Sequence, residues 1–359
     1  MTKARTTPQV VAIVALIIGV LMCIRLLAFN DWDPTLFTAF GVEEPVTLGY
    51  AEEKLDREVI TRPFQGHDGK YFFVQANDPW ITQPSENASV LDRPAYRSQR
   101  MLYPVLAGGG GLFSPNVIAW ALILVNVAFL ALGSWAVARI AERHGVTAWA
   151  GLAFVLNIGL LSELFIDGAG IVAFALACLG ALALQEDRPA LAGALLAGAA
   201  LTREVMLVFV AFIALFWLVR RRTIPWVVGI PSVAAVLTWA IYVRTRIDVP
   251  TDVPQIKEIT LVPFSGMVEA LTSGRARFAD YAVILVLAML VFIVPIRAWK
   301  SDVILTWGTV GFAVLAPFLT VFVWQKSFDI SRALAPLATA FVLELLLARK
   351  RKGARVLVA

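Results

Sequence analysis

The chain has 359 residues; 59% are apolar, 16% are charged, and basic side chains exceed acidic ones by five. Soluble domains run about 45–50% apolar and about 25% charged, so these proportions argue against a soluble globular fold. They exclude intrinsic disorder, a collagen-like chain and a disulfide scaffold. Cys23 and Cys178 both lie in apolar runs, and the two histidines are too few for a multi-histidine metal site.

Crossing the bilayer core takes about 20 mostly apolar residues. In chain order the candidate spans are 10–29, 115–138, 148–165, 170–184, 225–243, 281–296, 303–323 and 333–347. The first lacks a small-residue cleavage site after a short apolar core, so it reads as a retained helix rather than a signal peptide. The stretch 189–219 is apolar except for Thr202-Arg203-Glu204. As one helix it would be roughly 46 Å long at about 1.5 Å per residue, too long for one span and too short for two full ones.

Charge decides between these readings, because short cytoplasmic loops are enriched in Lys and Arg. The segments around Lys3, Arg139, Arg188, Arg220, Arg297 and Arg349 hold 15 basic residues against 4 acidic ones. All six fall on one side only if 189–219 goes out and returns as a short hairpin. The spacing therefore predicts an all-α polytopic protein of about ten transmembrane helices, a single integral membrane domain over 1–359, with both termini cytoplasmic. The basic excess is then a topology signal, and no nucleic-acid partner is expected.

The outward segments are a first loop at 30–100, with 12 acidic and 7 basic side chains, a second at 244–280, and a short third at 324–332. Loops beyond about 15 residues are uncommon unless functional. Residues 51–60 and 68–76 are expected to form surface helices, and 101–112 to lie in the interface. Asn87-Ala88-Ser89 matches the glycosylation acceptor pattern. Arg25 and Glu344, near span ends, are expected to snorkel.

Ionisable groups at a membrane face are candidates for function. Gly66 and Gly69 bracket His67 and Asp68, with Tyr71 following. A carboxylate against such an aromatic wall is expected to have a raised pKa, in the range of a general base; the alternative is a helix cap. Arg97 and Arg100 stand three apart, suited to gripping a phosphate or anchoring to headgroups. Arg203 and Glu204 sit at the hairpin tip and either neutralise each other or meet other partners. Arg332, with Asp329 as a partner, precedes the last span. Glu163 and Asp167 lie at an outer turn, and Asp33 follows the first span. No P-loop, Rossmann glycine pattern, GxSxG or HExxH is present.

Three stretches carry a family resemblance: Asp68-Gly69-Lys70-Tyr71-Phe72 with Ala76, the run RSQRMLYP from Arg97 to Pro104, and the small-residue run GALLAGAALTREV ending at Val205. Together with the layout they resemble the C-type membrane glycosyltransferases, the GT-C superfamily, in a bacterial subfamily. The resemblance implies a polyprenyl-phosphate-linked sugar donor and a glycan, lipid or protein acceptor. It also implies transfer on the outer side of the bacterial cytoplasmic membrane. The general base falls on Asp68 by motif position. Asp31 and Asp33 fit the paired acidic spacing of many members, which keeps Asp33 as the other candidate base. His67, Tyr71, Arg97, Arg100, Arg203, Glu204, Arg332, Glu163 and Asp167 are then expected to line the substrate site. The resemblance leaves room for a divalent metal but names no ligand for it. The competing readings are a flippase for a lipid-linked sugar and a non-catalytic envelope-assembly protein.

Overall fold

The computed structural model describes residues 7–223, 225–248, 258–274 and 277–356, with side chains to residue 350. Lys3, Arg5, the basic side chains at 351–355 and part of the second outer loop lie outside the described residues. The chain is 74% helical with almost no strand; one two-residue parallel pair, Phe40–Gly41 with Thr61–Arg62, braces the first outer loop. Among the described residues four helices are long and apolar enough to cross a membrane: Pro8–Ala28, Pro115–Arg143, Trp226–Arg246 and Phe278–Trp299. A fifth results if Ser327–Ala333 and Ala335–Lys350, bent by 66°, form one broken span. The chain is thus an all-α protein built for multiple membrane passes.

The other apolar runs form shorter pieces. Gly170–Gln185 has 16 residues, about 24 Å at 1.5 Å per residue, and is buried on nearly every face. It lies between Pro115–Arg143 and Pro189–Thr202, where Ala, Gly and Leu let helices approach closely without a hydrophobic drive from lipid. The run 148–165, expected as one span, is broken at Asn157. That side chain caps Ile158–Leu164 by accepting from Gly159 N at 2.9 Å. It also donates to Ala335 O at 2.8 Å and Thr339 Oγ1 at 3.0 Å. A buried amide with three partners makes a stable break where hydropathy shows none.

The 189–219 stretch does fold as two helices, Pro189–Thr202 and Met206–Arg221, broken at Arg203. Side-chain contacts give their direction. Glu186, just before the first, pairs with Arg143 at 2.8 Å, and Lys350 donates to His144 O at 3.1 Å. Arg203 instead joins Glu163 and Arg332 at the other end. Arg220 returns to Trp299 O, two residues before Ser301, which meets Glu344 in the middle of the last helix. Glu344 does not snorkel. It is buried and accepts from Ser301 Oγ at 2.6 Å and Thr306 Oγ1 at 2.9 Å, because two hydroxyls inside the bundle satisfy it better than a stretched side chain would.

The first outer loop is a packed structure. It holds the helices Pro45–Leu55, Gly69–Asn77 and Pro84–Val90 and the four-residue helices Thr35–Thr38 and Pro94–Arg97, and Leu102–Ala107 follows it; Pro45–Leu55 starts six residues before the expected 51–60 helix, at Pro45 in position N1. Asp78 organises one end. Oδ1 accepts from Thr82 N and Oγ1 at 2.8 and 2.9 Å, and Oδ2 from Gln83 N and Asn87 Nδ2 at 2.8 and 2.9 Å. Asn87 is 3% exposed, so the sequon is closed in the folded chain. Production in an N-glycosylating host is expected to leave Asn87 unmodified by intact mass. Asp78→Ala is expected to destabilise this loop by about 1–3 kcal/mol, because it takes a partner from the buried Asn87 amide, seen as a lowered melting midpoint.

Candidate active site

Backbone geometry aims Asp68 before any charge does. Gly66 turns with φ +66°, and His67 N donates to Ala39 O at 3.0 Å. Gly69 lies so close to the opposite loop that a Cβ would stand 2.3 Å from Ile166 O; only glycine permits that approach. Asp68 occupies the N-cap position of Gly69–Asn77, yet its side chain makes no capping bond. Its carboxylate is drawn away by two arginines instead. Oδ1 accepts from Arg97 Nη1 at 2.8 Å, and Oδ2 from Arg332 Nη2 at 3.2 Å. The side chain remains 26% exposed, so a substrate can reach it.

Each arginine is held on its other edge. Asp92 takes Arg97 bidentately, at 2.8 Å from Nε and 3.0 Å from Nη2. The Arg97 guanidinium lies 4.0 Å over the Tyr71 ring, whose hydroxyl donates to Glu44 at 3.2 Å. Arg332 reaches Glu163 Oε1 from Nε at 3.0 Å and Asp329 from Nη1 at 3.4 Å. Arg203 donates to the same Glu163 Oε1 at 3.0 Å, and its buried Nε has no hydrogen-bond partner. Glu204 does not pair with Arg203. It takes Arg100 at 3.2 and 3.1 Å, with Arg100 also bonded to the Tyr96 hydroxyl and 4.8 Å over its ring. Arg97 and Arg100 therefore diverge, because the short helix Pro94–Arg97 ends before Arg100.

The expected rise in the Asp68 pKa is reversed. Burial pulls its carboxyl up, but Arg97 and then Arg332 outweigh burial and hold it well below the usual carboxylate range. The aromatic wall is present as Tyr71, but an arginine stands in front of it. His67 stacks 5.0 Å from the Phe328 ring. Burial and then Arg332 lower its pKa from 6.5 to about 4, so it is neutral at neutral pH. The unfolded chain binds this proton first. Stability contributed here is present above pH 6.5 and lost as pH falls toward about 4. His67→Gln is expected to flatten the decline in melting midpoint across that window.

Two expected site residues are placed elsewhere. Asp167 is fully buried with φ +45°, and neither carboxylate oxygen has a partner. Burial pushes its carboxyl well up, and it makes no contact with the arginines around Asp68. Asp33 accepts from Thr35 N at 2.9 Å and pairs with Arg57 at 2.5 Å; it pins the start of the outer loop and makes no contact with the Asp68 group. Asp68, Arg97, Arg203, Arg332 and Glu163 do converge. Asp92 was not legible as a member: it precedes Arg97 by five, outside the three- or four-residue spacing that marks a helical pair.

Among the described residues no three His, Cys, Asp or Glu side chains gather as metal ligands. The carboxylates of this site each face an arginine, a donor set suited to an anion more than to a divalent cation. Beside the site, between 147–159, Phe278–Trp299 and Ala335–Val356, runs an apolar groove of about 780 Å³. It extends from Trp149 and Leu346 to Gly159 and Ser331, the residue before Arg332. Comparison with protein-family models, curated proteins and solved structures returns no match for this chain.

Proposed function

We propose that this chain is a GT-C-type glycosyltransferase of the bacterial cytoplasmic membrane. It moves one sugar from a polyprenyl-phosphate donor to an acceptor hydroxyl on the outer face, with inversion. The observation that carries this reading is an accessible carboxylate, Asp68, held between two arginines where an apolar groove ends. Isoprenoid tail, phosphate and sugar need those three surfaces in that order. The tail occupies the groove along Leu152, Leu156, Leu290 and Phe341, and the phosphate meets Arg332 and Arg203.

In this mechanism the acceptor oxygen forms a bond to the anomeric carbon as the bond from that carbon to the phosphate oxygen breaks. Asp68 takes the hydroxyl proton from the face opposite the leaving group, the arrangement inversion requires. The phosphate leaves as a stable anion, so it needs positive charge and no general acid. The resting Asp68 is a weak base because two arginines hold it. An arriving phosphate competes for Arg332, frees one carboxylate oxygen and raises its basicity by adding a nearby negative charge.

The membrane arrangement belongs to the same proposal: ten crossings, with the helices on either side of Arg203 as a short outward hairpin. On this reading the charge pairs around Arg143 and Lys350 lie at the cytoplasmic end and the Asp68 group at the outer end, with the basic segments in support. The test is a mass profile of envelope lipids and glycans in a deletion strain carrying no gene, the wild-type gene or Asp68→Asn. One glycoconjugate short of a single sugar in the first and third strains is the expected result. A lipid-linked sugar accumulating on the cytoplasmic side, its structure intact, would replace this reading with a flippase.

A further inference from the structure

Glu163 is the most enclosed carboxylate that touches the site's arginines, with its side chain 2% exposed. Oε1 accepts from Arg203 Nη1 and Arg332 Nε, each at 3.0 Å. Oε2 accepts from Gly170 N at 3.1 Å. The walls leave it one seat. A Cβ on Gly168 would stand 1.7 Å from Oε2, and one on Gly170 2.7 Å from Oε1. A group so enclosed cannot receive a substrate proton or touch a sugar. What it does is bring two guanidiniums, 129 positions apart in sequence, onto one oxygen against their mutual repulsion.

The two arginines are not fully used by this contact. Arg203 keeps a buried Nε with no partner; Arg332 gives Nε to Glu163, Nη1 to Asp329 and Nη2 to Asp68, and a phosphate takes Nη2 by displacing Asp68. We propose that Glu163 is a positioning residue that fixes Arg203 and Arg332 as a two-pronged seat for one phosphoryl group. That group is the leaving phosphate of the donor, so the inference rests on the glycosyl-transfer reading. A tetrahedral phosphate offers oxygens to both forks at once, which two independently mobile arginines would rarely present together. Glu163 fixes their spacing without itself contacting the ligand.

The alternative role, plain charge neutralisation, predicts the opposite sign. Removing one negative charge from beside two arginines would then tighten phosphate binding. Under the positioning role Glu163→Gln loosens it, because an amide nitrogen turned toward Gly170 N sets donor against donor and the fork spacing is lost. Gly170→Ala displaces the same carboxylate with no change of charge and is expected to behave alike.

The experiment titrates full-length protein in lipid nanodiscs with a polyprenyl monophosphate and with the polyprenol of equal length, followed by tryptophan fluorescence. Wild-type protein is expected to prefer the phosphate. Both variants are expected to lose at least tenfold of that preference while binding the polyprenol as before. Phosphate binding as tight as wild type or tighter in Glu163→Gln overturns the positioning role and leaves the transferase reading standing. Loss of both ligands alike in both variants marks Glu163 as a purely structural residue and also overturns it. A wild-type protein that does not distinguish phosphate from alcohol defeats the transferase reading itself.

Discussion

Asp68→Asn protein is expected to accumulate in the membrane at the wild-type level and to transfer sugar at least 10²–10⁴-fold more slowly, the usual range for loss of a general base. Folding should survive because neither arginine is left without a partner. Arg97 retains its bidentate contact with Asp92, and Arg332 retains Glu163 and Asp329. Asparagine has nearly the shape of aspartate, so the outer loop keeps its packing. Wild-type transfer by the purified variant would move the base to Asp33, which holds only Arg57 and a backbone amide in this structure.

A pH profile tests the same residue from another side. In the free protein the arginines keep Asp68 ionised to well below the usual carboxylate range. The acid limb of kcat/KM, which reports the free enzyme, is therefore expected below pH 4. The acid limb of kcat reports the donor-bound enzyme. With a phosphate drawing Arg332 away, that limb is expected at a higher pH. Coincident limbs in the two profiles would remove the competition between donor phosphate and Asp68.

Arg203→Lys is expected to cost about 10²–10³-fold in kcat/KM, or about 2.7–4 kcal/mol by analogy with loss of an oxyanion-hole donor. Lysine preserves the charge but presents a compact ammonium in place of a planar fork. It cannot hold Glu163 and offer the geometry of the unpaired Nε edge together. Arg100→Lys makes the comparison informative. Arg100 gives its hydrogen bonds to Glu204 and Tyr96 and none to Asp68, so the same substitution there is expected to alter stability more than turnover. Steady-state kinetics of both variants check this; equal losses would place Arg100 at the phosphate as well.

Much of the architecture was legible along the chain. Hydropathy located the helices because a membrane core demands long apolar runs. The basic segments set the expected orientation, and the division of 189–219 into two helices, expected from that asymmetry, is present with its break at Arg203 where the polar triplet lies. The outer loop's organisation was less legible, since Asp78 and Asp92 act through turns and short helices with no periodicity of their own. The break at Asn157 was hidden for a similar reason: one polar residue in an apolar run looks like a tolerated exception until Ala335 and Thr339 come beside it.

The candidate site divides the same way. Composition and spacing were enough to name Asp68, Arg97, Arg203, Arg332 and Glu163, because an ionisable group at a membrane face is costly and hence conspicuous. Which charge meets which was decided only when the helices packed. Arg203 and Glu204 are neighbours in the chain, yet they serve different partners, 40 and 104 positions away. Asp167, four residues from Glu163, is enclosed without a cation and its carboxyl is pushed up by burial, while Glu163 holds two arginines. Proximity in sequence sets neither the desolvation of a carboxylate nor the cation placed against it. Those two quantities separate Asp68, Glu163 and Asp167 from one another, and both arise from tertiary packing.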